Sequence, residues 1–450
     1  MRISRFVIAS LLSAASLLPA QTVSTLVNFN GTNGADPYFT TFVQGRDGRF
    51  YSTTYSGGAS NLGAVIKINL SDNISIVLHS FSGTDGSYPG GGLTLATNGN
   101  YYGTTVMGGT NNFGVLYSIT TAGTLTVLHN FAGGSDGEYP YGPPIQATDG
   151  NFYGATSGTP DSSNGATIYK LTSTGVYSVI FTFSESTTGV GVYGLVQGSD
   201  GDLYAPANAD GAYNAGTIVK VSTAGVLKET HTFNPDNDGG YGPIYPVAPP
   251  IQASDGNLYG TTHDGGTDGK GTLYEIVAST FGVKILYNFD SSSGANNDAG
   301  LVEGNDGNLY GVTATSAYRW SLTSGYTQLS SLGSGNFIAG LAQDTSGPFV
   351  GLSQLYGTGN KGYVYEVDEG LGEFITFVKP QGEVGATAQI LGQGFTGSTS
   401  VTFNGVPASF AVVNDSYMTA IVPTGATTGP VIVITPSGGL ASNKNFRVTE

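Results

Sequence analysis

The 450-residue chain carries 31 acidic against 15 basic residues, a formal net charge of −16, with 71 Gly, 27 Tyr and no Cys. Such a surface repels phosphate backbones and anionic lipid headgroups, so nucleic acid and peripheral membrane binding are poor expectations. The absence of cysteine excludes a disulfide framework and thiol chemistry.

The chain starts Met-Arg-Ile-Ser-Arg, continues with an apolar run from Phe6 to Leu18, and then reads Pro19-Ala20. A basic start, a short apolar core and a small residue describe a secretory signal peptide, residues 1–20, too short for a membrane span. Cleavage near Gln21 leaves an expected mature protein that is secreted or exposed at the cell surface, without a transmembrane segment.

From there to about residue 370 the sequence is periodic. PIQASDGNLYGTT at 250–262 has relatives at GRDGRFYSTT (Gly45), ATNGNYYGTT (Ala96), ATDGNFYGAT (Ala147), GSDGDLYAPA (Gly198), GNDGNLYGVT (Gly304) and, worn, DTSGPFVGLS (Asp344). The turn glycines Gly48, Gly99, Gly150, Gly201, Gly256, Gly307 and Gly347 are spaced 51, 51, 51, 55, 51 and 40 residues apart. A period near 50 points to repeated four-stranded units. Asp-Gly or Asn-Gly supplies the two positive-φ residues of a two-residue hairpin, and the alternation after it reads as a strand. A third strand follows a Gly-rich loop, as in AVIKI (Ala64) or TLYEI (Thr272), and a fourth ends in Phe or Leu, as in VLHSF (Val77) or ILYNF (Ile285).

One copy is displaced. TLVNF, Thr25 to Phe29, has the fourth-strand pattern, whereas the last unit stops after its third strand near Val367. A closed ring uses the first strand to complete the last unit and leaves no raw edge. The expectation is therefore an all-β chain with a seven-bladed β-propeller over 21–370. Residues 371–450 change grammar to short alternating strands with turn clusters every eight to twelve residues, the signature of a small β-sandwich.

In a propeller of this strand order, the loops between units open on the same face as those joining second and third strands. The between-unit loops, GTNGADPY (31–38), GTDGSYPGG (83–91), GGSDGEYPYGPP (133–144) and NPDNDGGYGPIYPVAPP (234–250), repeat Asp, Gly, Tyr and Pro. Aromatic plates beside carboxylates suit sugars, whose C–H faces pack on rings while hydroxyls bond to acids. Tyr88, Asp136, Glu138, Tyr139, Tyr141, Asp236, Asp238, Tyr241 and Tyr245 are the candidates, against the plainer reading that Tyr-Pro pairs brace the joints and the acids are solvated. His263, beside Asp264 in HDGGTDGKG, is the one histidine expected on this face; His79, His129 and His231 occupy equivalent fourth-strand positions. No cofactor is expected, and the acidic run at Asp236 to Asp238 lacks a complete calcium loop, leaving calcium a weak alternative to an ordinary acidic turn. Glycoside cleavage needs two carboxyls flanking one bond, a role open to Glu138 with Asp236 or Asp238 only if the ring brings those loops together.

Two resemblances add to this. Pro380-x-x-Gly-x-x-Gly385, Gly392-x-Gly394-Phe395, Val401-x-Phe403-Asn404-Gly405-x-x-Ala408, Val422-Pro423 and Thr428-Gly429-x-Val431 make residues 375–449 resemble the IPT/TIG domain, which implies an immunoglobulin-like fold and no single activity. Asp255 to Thr262, Gly265-Gly266 and Gly271 to Ile276 make residues 30–370 resemble the GloVer-type tandem repeats of exported bacterial proteins, which carry no established activity. The expected role is binding of extracellular polysaccharide on the long-loop face. A structural or adhesive module that binds a surface protein, and a polysaccharide-degrading enzyme, are the alternatives.

Overall fold

The computed structural model describes residues 22–158, 166–236, 244–295, 297–332 and 337–449. Between Thr22 and Asp368 they form seven four-stranded sheets. Six consist of consecutive strands, the first being Val43–Gln44, Phe50–Thr54, Ala64–Asn69 and Ile74–Ser80. The seventh combines Ala342–Gln343, Phe349–Ser353 and Tyr363–Asp368 with Thr22–Asn28 from the other end of the chain. Thr22 pairs with Asp368 and Asn28 with Tyr363 in antiparallel register, the closure that the displaced TLVNF requires.

Apolar clusters occupy each joint between neighbouring sheets. Tyr51 and Val65 meet Leu93, Tyr101 and Tyr117 between the first and second; Phe29, Val350 and Val364 meet Phe50 and Ile66 between the seventh and first. The other five joints are filled in the same way. Sheets that pack on both neighbours, the last on the first, make a closed β-propeller. Large aromatics dominate: Tyr51 stacks on Tyr101 at 4.1 Å and Tyr102 on Phe152 at 4.0 Å. Each such buried ring contributes about 1.5–3 kcal/mol by area.

The recurrent hairpin differs from the expected two-residue turn. Gly48 N–H bonds Gly45 O at 3.0 Å, Gly45 N–H bonds Arg49 O at 2.7 Å, and of the turn residues only the glycine is left-handed, at φ 73°. This is a type I turn closed by a glycine bulge. Asp47 keeps an ordinary backbone because its carboxylate is the clasp: it accepts Arg49 N–H at 3.3 Å and the Tyr51 hydroxyl at 3.0 Å. The same Asp–Tyr bond recurs at 2.7, 2.7, 2.6 and 2.9 Å in Asp149–Tyr153, Asp200–Tyr204, Asp255–Tyr259 and Asp306–Tyr310. Lys67 and Lys220 join their clasps at 2.7 and 2.9 Å. Burial pushes the Asp47 and Asp200 carboxyls up, but the bonds from lysine, tyrosine and backbone N–H outweigh it and hold both below the usual range. The glycine of the LYGTT pattern has its own cause. A Cβ on Gly154 would lie 2.2 Å from the Tyr169 hydroxyl, and one on Gly260 equally close to that of Tyr274, so the third-strand ring stands over the bare backbone.

Residues 376–441 form two further four-stranded sheets, and Gln381–Glu383 pairs in parallel with Arg447–Thr449. One has the order Thr376–Phe377, Thr387–Leu391, Tyr417–Ile421, Phe410–Asn414; the other Val406–Pro407, Ser400–Phe403, Val431–Thr435, Gly438–Ala441. Ile390, Phe395, Val401, Phe403, Met418, Val433 and Phe446 fill the space between them. This sandwich sits on the hairpin-turn face of the ring and bonds to every sheet. Asn414 and Ser416 donate to Arg46 O at 3.1 and 3.2 Å, Gln389 to Thr97 O at 2.9 Å, and Lys379 to Thr148 O at 2.9 Å. Arg447 donates to Ser199 O, and Lys444 to Gln252 O at 3.0 Å. Lys444 also pairs with Glu303 at 3.3 Å, and Gln393 donates to Asp344 at 3.0 Å. No helix among the described residues is long and apolar enough to cross a membrane.

Candidate functional site

With one mouth of the ring capped, the other carries the long loops. Ala35 bridges to Ser56, Ser87 to Met107 and Val190 to Ala209, which sets the between-sheet loops beside those joining second and third strands. In the Tyr-Pro pairs, Tyr88, Tyr139 and Tyr245 are left-handed, at φ 57°, 55° and 45°, as is Asp36 before Pro37 at 50°. A residue before proline disfavours helical backbone, and a left-handed one costs about 1–2 kcal/mol, so each is held by its surroundings. Tyr88 N–H bonds Leu62 O at 2.8 Å on the first sheet, and its carbonyl accepts Val106 N–H at 3.0 Å on the second. Tyr245 does the same between Ala215 O and His263 N–H. The backbone of these pairs braces the joints and aims their rings.

The rings meet at the mouth. Tyr88 stacks on Tyr55 at 5.0 Å, Tyr55 lies 5.4 Å from Tyr38, Tyr38 meets Phe39 at 4.5 Å, Phe39 stacks on Tyr193 at 5.8 Å, and Tyr193 meets Tyr141 edge-on at 4.8 Å. A cavity of about 300 Å³ opens among Tyr38, Phe39, Tyr193, Asn208, Tyr245, Val247, His263 and Asp264. Asn208 Nδ2 donates to the Tyr193 hydroxyl at 3.3 Å. Burial, with Tyr193, Asp298 and Tyr55 nearby, pushes the Tyr38 phenol up to about 12; burial also raises Tyr193 and Tyr141. These hydroxyls stay protonated near neutrality and can donate to a ligand oxygen.

His263 has a partner that its own loop does not supply. Its Nδ1 lies 2.5 Å from Asp298 Oδ1, and its Nε2 3.8 Å from Asp264 Oδ1. The Asp298 bond raises the imidazole's pKa above its ordinary 6.5, outweighing burial. With Nδ1 engaged, Nε2 is the nitrogen left to face a ligand.

The sequence candidates divide. Tyr245, His263 and Asp264 line the cavity, and Tyr88 and Tyr141 belong to the ring wall. Asp136 does not face it: its carboxylate accepts from Ala132 N–H at 2.8 Å and pairs with His129 Nε2 at 2.9 Å, as Asp85 does with His79 at 2.8 Å. Tyr139 packs edge-on against Phe113 at 5.7 Å, and Glu138 is buried, only 7% exposed, a poor position for an acid that must reach a solvated chain. Asp236 has its N–H on Asn234 Oδ1 at 2.9 Å; Asp238 and Tyr241 lie outside the described residues. Among the described residues no three His, Cys, Asp or Glu side chains gather as metal ligands. Sequence reasoning missed Tyr38, Phe39, Tyr55, Tyr193, Asn208 and Asp298. A usable signal was the count back from the innermost-strand glutamine, since Phe39, Tyr141 and Val247 all stand five residues before Gln44, Gln146 and Gln252.

A family profile described as the Gloeobacter/Verrucomicrobia repeat matches residues 15–192 and 144–319. The chain belongs to this repeat family. In this member the recurrent Asp, Tyr and Gly are the clasp and the ring seat described above, so the repeat signature specifies sheets and leaves the mouth to the loops between them. No curated protein matches the chain in sequence. Among solved structures, a fungal alcohol oxidase of the AA5 family in complex with copper aligns over 95% of this chain and 99% of its own, with 13% identity and TM-score 0.52. That likeness is one of fold. A putative 6-phosphogluconolactonase from Bacteroides uniformis aligns over 70% of this chain and 95% of its own, at 14% identity and TM-score 0.49. A gluconolactonase from Xanthomonas campestris aligns over 78% of this chain and 90% of its own, at 11% identity and TM-score 0.42.

Proposed function

We propose that the protein is an exported, non-catalytic binding protein whose seven-bladed propeller holds polysaccharide at its open mouth, while an IPT/TIG-type immunoglobulin-like sandwich closes the other. The observation that carries this reading is the aromatic mouth itself: a run of six rings in contact, of which Tyr38, Phe39 and Tyr193 line, together with Tyr245, a cavity of about 300 Å³, room for a sugar unit, edged by Asn208, His263 and Asp264. Rings for C–H faces beside a few fixed polar groups are the chemistry of sugar recognition. Among the described residues the cavity lining has no Lys or Arg, and two carboxylates stand at His263, so neutral polysaccharides are favoured over acidic ones. Export rests on the signal-like residues 1–20, the domain limits 21–370 and 371–450 on the change of strand grammar, and the IPT/TIG assignment on the Gly and Pro pattern of 380–431.

The test is calorimetric titration of residues 21–450 against neutral and acidic polysaccharides, with and without chelator, while reducing ends are counted. Saturable binding of a neutral polymer without product supports the reading. Product release would make the protein an enzyme, and no binding to any polymer would remove the proposal. One observation favours the protein-binding alternative: strand Phe410–Asn414 is a sheet edge of the sandwich and exposes Val412 and Val413, the latter by 61%.

A further inference from the structure

The channel of the ring holds a second space, unlike the first. As the between-sheet loops descend into their innermost strands, most touch a neighbour at a glycine with no room for a side chain. A Cβ on Gly92 would lie 2.5 Å from Thr41 O, one on Gly142 2.2 Å from Tyr193 O, and one on Gly340 2.9 Å from Thr41 Cγ2. Similar approaches occur at Gly91 and Gly194, and Gly300 adds an ordinary 3.7 Å contact with Ala248 Cβ, so that a collar of loop contacts runs around the ring. On the far side of the collar from the tyrosine mouth lies a cavity of about 470 Å³. Its walls are innermost strands of the first, second, sixth and seventh sheets, among them Phe42, Leu95, Leu301 and Leu341, and its floor is Phe377 and Leu391 of the sandwich.

Among the described residues nothing charged lines this chamber. Its amides are already engaged: Gln44 Nε2 donates to Thr345 Oγ1 at 3.0 Å, and Gln343 Nε2 to Asn305 Oδ1 at 2.9 Å and to Gly347 O at 2.8 Å. The floor is fixed, because the sandwich is bonded to every sheet around the rim. Leu, Phe, Val and Ala make up most of the lining, with Thr41, Thr94 and Thr376 among them, so water finds few partners there and the apolar walls forfeit packing where no neighbour faces them. It also lies within the range of pockets that hold small molecules.

We propose that this chamber is a binding site for one uncharged, apolar small molecule per chain, separate from the mouth. Such a guest replaces the contacts that the void forfeits and needs no hydrogen bond that the walls cannot give.

The experiment titrates the full mature chain with 1-N-phenylnaphthylamine, whose emission rises and shifts to the blue in a dry apolar site. The expected result is saturation at one probe per chain, at least tenfold weaker binding in Ala342→Trp, and unchanged binding in Tyr193→Ala at the mouth. If Ala342→Trp does not fold, Thr376→Trp fills the chamber from the sandwich side and carries the same expectation. Absence of saturable binding, or binding that survives a folded chamber-filling variant, overturns the proposal. Crystals under xenon give an independent readout: xenon among Leu95, Leu301 and Leu341 supports it, and a chain of ordered waters there overturns it.

Discussion

The two ends of the ring are built from the same repeat and behave as opposites. At the capped end the repeat is nearly perfect. Gln146, Gln197, Gln252, Glu303 and Gln343 each accept a turn N–H from the preceding sheet, at 2.9, 2.8, 2.7, 2.8 and 2.9 Å, and Gln44 closes the circle at 3.4 Å. Only the second sheet breaks the series, with Leu95 in the glutamine position. There the sandwich supplies the missing amide: Gln389 bonds Thr97 O and accepts from Arg46 Nη2 at 2.7 Å, and the Arg46 guanidinium also lies 4.9 Å above the Tyr417 ring. Glu303, the other departure, is the residue that Lys444 pairs with. At the open end the repeat is kept only in part, as the Tyr-Pro pairs at Tyr88, Tyr139 and Tyr245, and the contacting rings come from Asp-Pro-Tyr-Phe, Tyr-Pro, Val-Tyr and Thr-Tyr-Ser segments of different loops. Periodic backbone bonds make a rigid seat; irregular loops make a shaped, chemically mixed site.

The largest expected effect breaks the seat. Arg46→Ala with Lys444→Ala removes the two charged contacts at the two irregular positions and should cost about 2–4 kcal/mol in chemical denaturation. Mouth binding should persist in the folded fraction; if it falls in parallel, the ends are coupled and the contrast is wrong. Next, Tyr38→Ala with Tyr193→Ala should weaken polysaccharide binding about ten- to a hundredfold, equivalent to about 1.4–2.8 kcal/mol, with melting changed far less than by the first pair. A smaller loss, about 1 kcal/mol, is expected for Asp200→Ala, which deletes bonds to Tyr204 and Lys220 on the partly solvated rim. Because the folded-state pKa of Asp200 is depressed, its contribution is present above the ordinary 3.8 and disappears as pH falls through the folded value, so the wild type and the variant should converge in acid.

The smallest effect concerns His263. Its folded pKa is raised, so the Asp298 bond stabilises fully below 6.5 and is lost as pH rises through the folded value. Imidazole proton resonances should report a midpoint above 6.5 that Asp298→Asn lowers. A midpoint indifferent to Asp298 would detach the histidine from the site.

These residues also show what a sequence can disclose. Asp255, Tyr259 and Gly260 were legible because period and alternation expose strands, and the displaced TLVNF was legible because a ring must close. The turn type was misread because Asp-Gly fits two hairpins, and a Tyr hydroxyl four residues on selects between them. Tyr88 and Tyr141 were found in composition-rich loops, but Tyr193 stands in Gly-Val-Gly-Val-Tyr, where nothing marks it until the ring brings Phe39 to stack on it across 154 residues. Asp298 and Gln389 are invisible for a related reason: Asp298 meets His263 from the loop of the next sheet and Gln389 meets Arg46 from the sandwich, and no local pattern encodes a contact between separate units.

One measurement bears most directly on the account: side-by-side titration of wild type and the folded Tyr38→Ala/Tyr193→Ala variant with a neutral polysaccharide that the wild type binds. The expected result is saturable wild-type binding that the variant loses by at least tenfold while its melting profile stays cooperative. Equal affinity in the two proteins would place the ligand elsewhere and contradict the open mouth as the site.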